Sequence, residues 1–485
     1  MTSPSVLNKY PAYEVNIGME VHVQLTTATK IFCPCPNVIA KDPNSNICII
    51  CAGYPGTLPV LNKRVIDFGI MAGLATNCTI ASVCAFDRKH YFYPDLPKGY
   101  QITQQYLPIC TKGFVPIRLE DGSIKKIHLT RIHIEEDAGK NIHSEISSES
   151  FVDLNRAGTP LLEIVSEPDL SSAYETHAYL KMLRTTVQYL DICSGNMEDG
   201  AFRADTNISV RKKGTSKLGT KCELKNINSF KYIGDAIEYE IERQITLLED
   251  GGTVQQQTRL WDPANRVTKV MRTKEEAADY RYFQDPDLPL IEISDQMREA
   301  IRAALPELPP QKFERLQKEY GITPYEADIL VDSPELATYF EQAYKIHNSP
   351  SIINWVLRDL MGYLKQHEIQ LNVCKITPER LAKLVNLITN GKINNRAAQE
   401  VFGAIGAEDK DPEIIVKERG LEQIDSTEEL EAIVKEIISK NADSVTKYKA
   451  GNERLFGFFV GQVMQKTGGK GNPKLIQELL KKHLG

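Results

Sequence analysis

Between Ile17 and Leu25 the sequence alternates without a break, with Ile17, Met19, Val21, Val23 and Leu25 set against Glu20, His22 and Gln24. Successive side chains of an extended strand leave on opposite faces, so the pattern predicts one face in a core and one polar face. A solvated strand face would ordinarily carry Thr, Lys or Ser. Here a carboxylate and an imidazole stand two residues apart, where both reach one ion. Taken alone, the segment reads more simply as a half-buried strand with a solvated Glu and His. Repetition argues against that plainer reading.

Three later segments share the pattern. In Arg131–Asp137, Ile132 and Ile134 oppose Arg131, His133 and Glu135; in Arg203–Val210, Arg203, Asp205 and Asn207 fall on one side; in Lys221–Lys225, Lys221, Glu223 and Lys225 oppose Cys222 and Leu224. Four strands with acid, base and amide groups on one face predict a single polar floor. It offers carboxylates to a cation and Lys or Arg to phosphates.

The chain has 485 residues, more than one core usually organises, so two or three domains are expected. With 42% hydrophobic and 25% charged residues, and no apolar run near eighteen residues, it reads as a globular protein without a membrane span. Residues 1–11 lack an apolar targeting segment, which places the protein in the cytoplasm as an expectation. A net charge of -6 gives no global basic field, so any RNA binding must use local patches.

Ten cysteines in such a chain point to thiols or metal rather than disulfides. Cys33, Cys35, Cys48 and Cys51 form two close pairs among Pro34, Pro36, Asn37 and Asn44, the spacing of two knuckles closing a tetrahedral thiolate site. Zinc held there would be structural, because four protein ligands leave no open position. Cys78, Cys84, Cys110, Cys193, Cys222 and Cys374 read as core thiols.

The stretch Lys89–Gln101 is aromatic, basic and turn-rich. It fits a buried aromatic plug and a stacking platform for a nucleotide or RNA end equally well. A partial echo, Arg281–Pro289, shares too few residues to establish a repeat.

Beyond Asp295 helix signals take over. Thr323-Pro324-Tyr325-Glu326 combines a cap, a first-turn proline and a capping-box glutamate, and Ser333-Pro334, Ser349-Pro350 and Thr377-Pro378 repeat the start signal. A bundle of short helices is expected to about Gly406, then a linker at Glu408–Pro412, then a further helix opened by Ser426-Thr427-Glu428-Glu429. From Lys440 to Gly485 nine Lys or Arg stand against three Asp or Glu, which suits either a solvated helix face or RNA. The fold expectation is α+β: a mixed or antiparallel sheet domain over 1–294, a helical domain over 295–406 and a small α-helical tail over 407–485.

The segment Val152–Val165, with Gly18–Leu25, Tyr91–Gln101, Arg131–Lys140, Gly195–Asn207 and Lys221–Phe230, closely resembles the B subunit of the tRNA-dependent aspartyl/glutamyl amidotransferases, and the resemblance covers essentially the full length. It implies an ATP-dependent enzyme that phosphorylates the side-chain carboxylate of misacylated Glu-tRNA(Gln) or Asp-tRNA(Asn). Ammonia from a partner amidase, the A subunit, then displaces the phosphate, in an assembly with a small C subunit. It implies that Glu20, His22 and Glu135 hold magnesium, with Glu136, Glu163, Glu198 and Asp205 as further acidic candidates. Lys98, Arg131, Lys140, Arg156, Arg203, Lys221 and Lys225 are the candidates for ATP and substrate, and the tail is implied to contact tRNA. Two of the acids also have plain structural readings: Glu163 as a buried, hydrogen-bonded carboxylate, and Glu198 beside Asp199 as a turn before Gly200.

The residues agree with the resemblance on their own terms. No G-x-x-x-x-G-K-[ST] loop is present, so a nucleotide must be held through metal and side chains. Phosphoryl transfer needs positioning and cations, which the floor offers. No amidase signature or G-x-C-x-G elbow is present, so ammonia must come from a partner. A zinc- and RNA-binding adaptor, whose carboxylates merely tie a sheet together, is the competing expectation.

Overall fold

The structure is a computed structural model that describes residues 5–143, 149–273, 279–424 and 426–485. It divides into two compact units, Met1–Lys312 and Phe313–Gly485.

The first unit is built on ten strands: β1 (Tyr13–Gln24), β2 (Thr79–Ile80), β6 (Cys110–Thr111), β7 (Phe114–Arg118), β8 (Ile124–Glu136), β11 (Pro160–Ser166), β12 (Phe202–Lys212), β13 (Cys222–Lys225), β14 (Gln257–Asp262) and β15 (Val267–Thr273). Their order is β15-β14-β13-β12-β1-β11-β8-β6-β2, with β7 pairing on β8. All pairs are antiparallel except β13 with β14, so the sheet is mixed as expected. The parallel pair is joined through α3 (Phe230–Glu249), the long crossover that a parallel connection requires. Short strands β3 (Val83–Cys84), β4 (Asp87–His90), β5 (Tyr100–Thr103), β9 (Lys140–His143), β10 (Ser150–Asp153), β16 (Phe283–Gln284) and β17 (Ile291–Glu292) form three small sheets beside it.

Ile17, Met19, Val21, Val23 and Leu25 are buried in one core with residues of α1 (Lys63–Ala75), α2 (Ala173–Tyr189) and α3. The opposite face, with Glu20, His22 and Gln24, is the polar floor. Antiparallel register aligns its rows: His22 lies opposite Glu163 on β11 and Arg203 on β12, and Glu163 lies opposite His133 on β8. One row along, Glu20 faces Asp205, and beyond it Asn207 faces Glu223. Residues directly opposite share a face, so the register alone assembles the site.

The two aromatic segments meet in space. Phe283 pairs with Arg88 between β16 and β4, the His90 and Phe283 rings stack at 5.0 Å, and Arg88 ion-pairs with Asp285 at 3.0 Å and Asp287 at 2.7 Å. Phe92 is 89% exposed and Tyr93 also lies at the surface, so Lys89–Gln101 is not a buried plug.

The expected boundary at 294/295 is moved by α4 (Asp295–Ala303). It packs on α1, and Met297, Ile301, Leu305 and Leu308 lie against the first core, so the unit extends to Lys312. In the second unit, α5 (Pro309–Tyr320) from Phe313 onward, α6 (Pro324–Val331), α7 (Pro334–Ile346), α8 (Ser351–Asn354), α9 (Met361–His367), α10 (Pro378–Thr389), α11 (Asn395–Glu408) and α12 (Pro412–Glu418) share one apolar core. The capping box of Thr323 and Glu326 forms, and Ser333 and Thr377 cap their helices. At α8, whose first residue is Ser351, the Ser349 hydroxyl accepts from the Ser351 amide at 3.3 Å, so this start signal also serves the first turn.

Glu408–Pro412 is not a linker. Asp411 caps α12, Arg380 and Lys375 hold Asp409, and Ile415 and Val416 of α12 are buried in the bundle core. A separate core then joins α13 (Thr427–Lys440), α15 (Leu455–Lys466) and α16 (Pro473–Leu484), with α14 (Ala442–Lys449) against it. No helix among the described residues is long and apolar enough to cross a membrane.

Candidate functional site

At the centre of the floor, His22, Glu135 and Glu163 bring one ligand atom each within 4.8 Å of one another. His22 Nε2 lies 3.6 Å from Glu135 and 3.5 Å from Glu163. Behind them the buried His133 places Nε2 3.1 Å from Glu163 and 3.8 Å from Glu135. Two carboxylates thus share two imidazoles. Burial alone would lower both imidazole pKa values, but Glu163 and Glu135 outweigh it, raising His22 and lifting His133 to about 9. Burial would likewise raise the two carboxyls; for Glu135, His133 and His22 prevail, and for Glu163 the same pair holds it well below the usual range. Two carboxylates buried together favour positive charge between them, which a divalent cation would supply.

Glu20 is not within this trio; its Oε1 accepts from Asn207 Nδ2 at 2.9 Å. Burial and the charge of Glu163 raise its pKa, so it too is an acid short of a cation. The geometric cluster therefore puts Glu163 where the sequence pattern put Glu20, with Glu20 in the next row. Oxygen donors dominate the set, as a hard cation requires, with His22 the one nitrogen.

The remaining candidates fall into separate constellations. Lys225 pairs with Asp205 at 2.7 Å and Glu223 at 3.0 Å, and Arg203 reaches Asp137 at 2.9 Å. His22, Arg203, Asp205 and Lys225 line one cleft of about 500 Å³, with Glu198 at its rim. Glu198 is exposed in a turn bonded to Asn196, as its plain structural reading has it, and also borders a second cavity of about 360 Å³ with Lys140, Arg156, Asn37 and Asp153. Arg156 is spent on the backbone, donating to Ala138 at 3.0 Å and Gly139 at 2.6 Å. Arg131 donates to the Gln105 carbonyl at 3.0 Å, and Lys221 is exposed just before β13. Glu136 joins none of these: it ion-pairs with Lys98 and accepts from the Ile102 amide at 2.9 Å, beside a cavity of about 210 Å³ that also touches Cys33 and Cys51.

Two residues of the site were not among the sequence candidates. His133 stands on the same face as Glu135 by the alternation already noted, which was signal enough. Asp137, which accepts from Arg203 and Gln24 and has the Arg156 guanidinium 3.5 Å away, lies past the end of β8, where periodicity says nothing.

Cys33, Cys35, Cys48 and Cys51 gather as expected, their sulfurs within 4.8 Å of one another and Cys51 3.9 Å from Cys48. Tetrahedral Zn–S bonds of about 2.3 Å would separate sulfurs by about 3.8 Å, so the set fits zinc. The Cys33 thiol and the Cys48 backbone, donating to Cys51, hold its thiol down at about 4, aided by Lys30. Lys30 is only 1% exposed, with Nζ 3.8 Å from that sulfur. The knot is stapled to the end of β10 and the residues that follow it: Asn44 bonds Val152, Asp153 and Leu154, and Asn46 N donates to Asn155 at 2.8 Å.

Residues 15–299 match the family described as the GatB/GatE catalytic domain, and residues 338–484 match the GatB domain. The chain belongs to the GatB family. It is 51% identical over 476 residues to the aspartyl/glutamyl-tRNA(Asn/Gln) amidotransferase B subunit of Geotalea daltonii, covering 97% of this chain and 99% of that one. It is 49% identical over 473 residues to the B subunit of the same name from Thermoanaerobacter pseudethanolicus, with 97% and 99% covered. The GatB/GatE match contains the whole floor and the cysteine knot, and the GatB match contains all of α10–α16.

Proposed function

We propose that this chain is the ATP- and tRNA-dependent component of an aspartyl/glutamyl-tRNA amidotransferase. It phosphorylates the side-chain carboxylate of a misacylated Glu-tRNA(Gln) or Asp-tRNA(Asn) and directs ammonia onto the product. The observation that carries the reading is the carboxylate box of His22, Glu135 and Glu163 on the same floor as Arg203 and Lys225.

In phosphoryl transfer the protein contributes positioning and electrostatics. Glu135, Glu163 and His22, with Glu20 alongside, would hold magnesium, which supplies charge to the transferring phosphoryl group. Arg203 and Lys225 would face the phosphates or the substrate carboxylate. The carboxylate oxygen attacks the γ-phosphorus as the bond to the β-phosphate oxygen breaks and ADP leaves. Ammonia then adds to the acyl phosphate and expels inorganic phosphate, giving the amide. The amidase partner, as the A subunit, would release the ammonia from glutamine, with the small C subunit completing the assembly. Division of labour follows the chain: catalysis in the first unit and tRNA contacts in the last helices.

The test is ADP release by the assembled complex with ATP, magnesium and each tRNA. Release should require misacylated tRNA and should fall about 100-fold or more in Glu163→Gln and Glu135→Gln, as expected when charge stabilisation is the chief catalytic resource. Wild-type turnover in both variants at limiting magnesium would leave the adaptor reading in its place.

A further inference from the structure

Resting on the metal-box reading above, we infer that His133 is a positioning residue, the inner wall that fixes Glu163 and Glu135 for the cation although it does not face the cleft. The residue is 3% exposed and lies behind both carboxylates, nearest Glu163. His22 approaches the same two acids from the cleft side, so each carboxylate stands between an outer and an inner imidazole.

The two ring nitrogens of His133 differ. Nδ1 is buried with no hydrogen-bond partner among the described residues, whereas Nε2 points at the carboxylates. A buried N–H without an acceptor is more costly than a buried lone pair without a donor, so the proton of the neutral ring sits on Nε2. The imidazolium also carries a proton there, and in either state Nε2 donates to a carboxylate. On Glu163 both imidazoles approach Oε2, whereas on Glu135 the oxygens divide, Oε2 facing His133 and Oε1 facing His22, which leaves Oε1 on the cleft side for the cation. Thr103 braces Glu135 in the same manner, its hydroxyl 3.4 Å from Oε2. Partners of this kind orient ligands without touching the metal, and their loss typically costs about 10- to 100-fold in metal affinity.

The experiment titrates the full chain with Mn2+ alone and reads free Mn2+ by electron paramagnetic resonance. The variants are His133→Leu, His133→Asn and His133→Gln, with Glu163→Gln as the reference for the box. Glutamine puts an amide donor near the Nε2 position and should stay within a few-fold of wild type. Leucine supplies no donor, and the asparagine donor falls short, so both should weaken Mn2+ binding by about 10- to 100-fold. Unchanged zinc content and circular dichroism establish that a variant is folded. If leucine fails that control, asparagine decides. In amidation assays the folded variant should show a raised magnesium requirement with its rate recovered at saturating magnesium. Folded His133→Asn binding Mn2+ as wild type does, while Glu163→Gln has lost it, would overturn the role of His133 alone. Wild-type protein that takes up no Mn2+, or a Glu163→Gln variant that binds it unchanged, would overturn the box itself.

Discussion

Glu163 shows how a residue's neighbours decide its importance. From sequence it is one acid in an apolar run; in the sheet it is opposed by His22 on one side and His133 on the other. If the cation sits among His22, Glu135 and Glu163, Glu163→Gln should raise the magnesium requirement more than Glu20→Gln, which removes charge from the adjoining row. Magnesium titration of ADP release measures both, and a larger effect at Glu20 would restore the trio inferred from sequence. Glu240 is a structural counterpart. It is fully buried on α3, where Arg243 ion-pairs with it, Thr268 donates to it at 3.0 Å and Arg259 lies 3.5 Å away. Burial would raise its carboxyl, but the Arg243 contact and Arg259 prevail, so the folded pKa lies below the ordinary 4.5. Its stabilising contribution is therefore complete above about 4.5 and is lost as pH falls through the lower folded value. Glu240→Ala should cost about 3–5 kcal/mol near neutrality, because it strands the buried Arg259 and the half-buried Arg243. Urea melts across the acid range should show less pH dependence in that variant than in wild type.

At the scale of elements, the knot and the floor were legible for different reasons. Four cysteines in two close pairs announce a site through spacing alone, without knowledge of the fold. The strands β1, β8 and β12 show period-two alternation because one face is apolar core and the other carries the polar floor. β11 does not. It is central, between β1 and β8, and Leu161 and Val165 flank Glu163 on the polar face while Leu162 and Ile164 fill the core, so the run is apolar on both sides. Its register, which completes the carboxylate box, became visible only with its two neighbours in place. The knot's own contribution is testable. Thiolate sites of this kind bind zinc with roughly 10 kcal/mol or more of apparent free energy. Elemental analysis should find about one zinc per chain by that four-ligand logic. Cys48→Ser with Cys51→Ser should remove it and loosen Val152–Asn155, which Asn44 and Asn46 hold. Because Asp153, Asn155 and Arg156 line the adjoining cavity, amidation should fall with the zinc content. Full activity in zinc-free protein would reduce the knot to a dispensable appendage.

Across the whole molecule the sequence located the passage from strands to helices but misplaced two boundaries, in each case because a helix contributes to a neighbouring core. α4 belongs with the sheet unit, and α12 belongs with the bundle. The second matters for the proposed RNA module. Cutting before Pro412 would remove Ile415 and Val416 from the bundle core, at about 1.5–3 kcal/mol for each buried side chain. A chain ending at Gln423 keeps both and removes only the last four helices with their separate core. Among the tail cations, Lys440 and Lys466 are engaged by Glu436 and Lys482 by Glu431. Lys447, Lys449, Arg454, Lys470, Lys474 and Lys481 have no carboxylate partner among the described residues and are available to phosphates. If these cations carry tRNA contacts, each phosphate neutralised steepens the fall of log affinity with log salt by about 0.7 to 0.9, the range spanned by single strands and B-DNA. The chain ending at Gln423 should therefore fold, keep its zinc and Mn2+ sites, bind tRNA more weakly, and show a shallower salt dependence than the full chain. Filter binding from low to moderate salt gives both quantities. Equal affinity and equal slope with and without the tail would place the tRNA contacts elsewhere, whereas loss of folding at Gln423 would show that the last helices are part of the bundle.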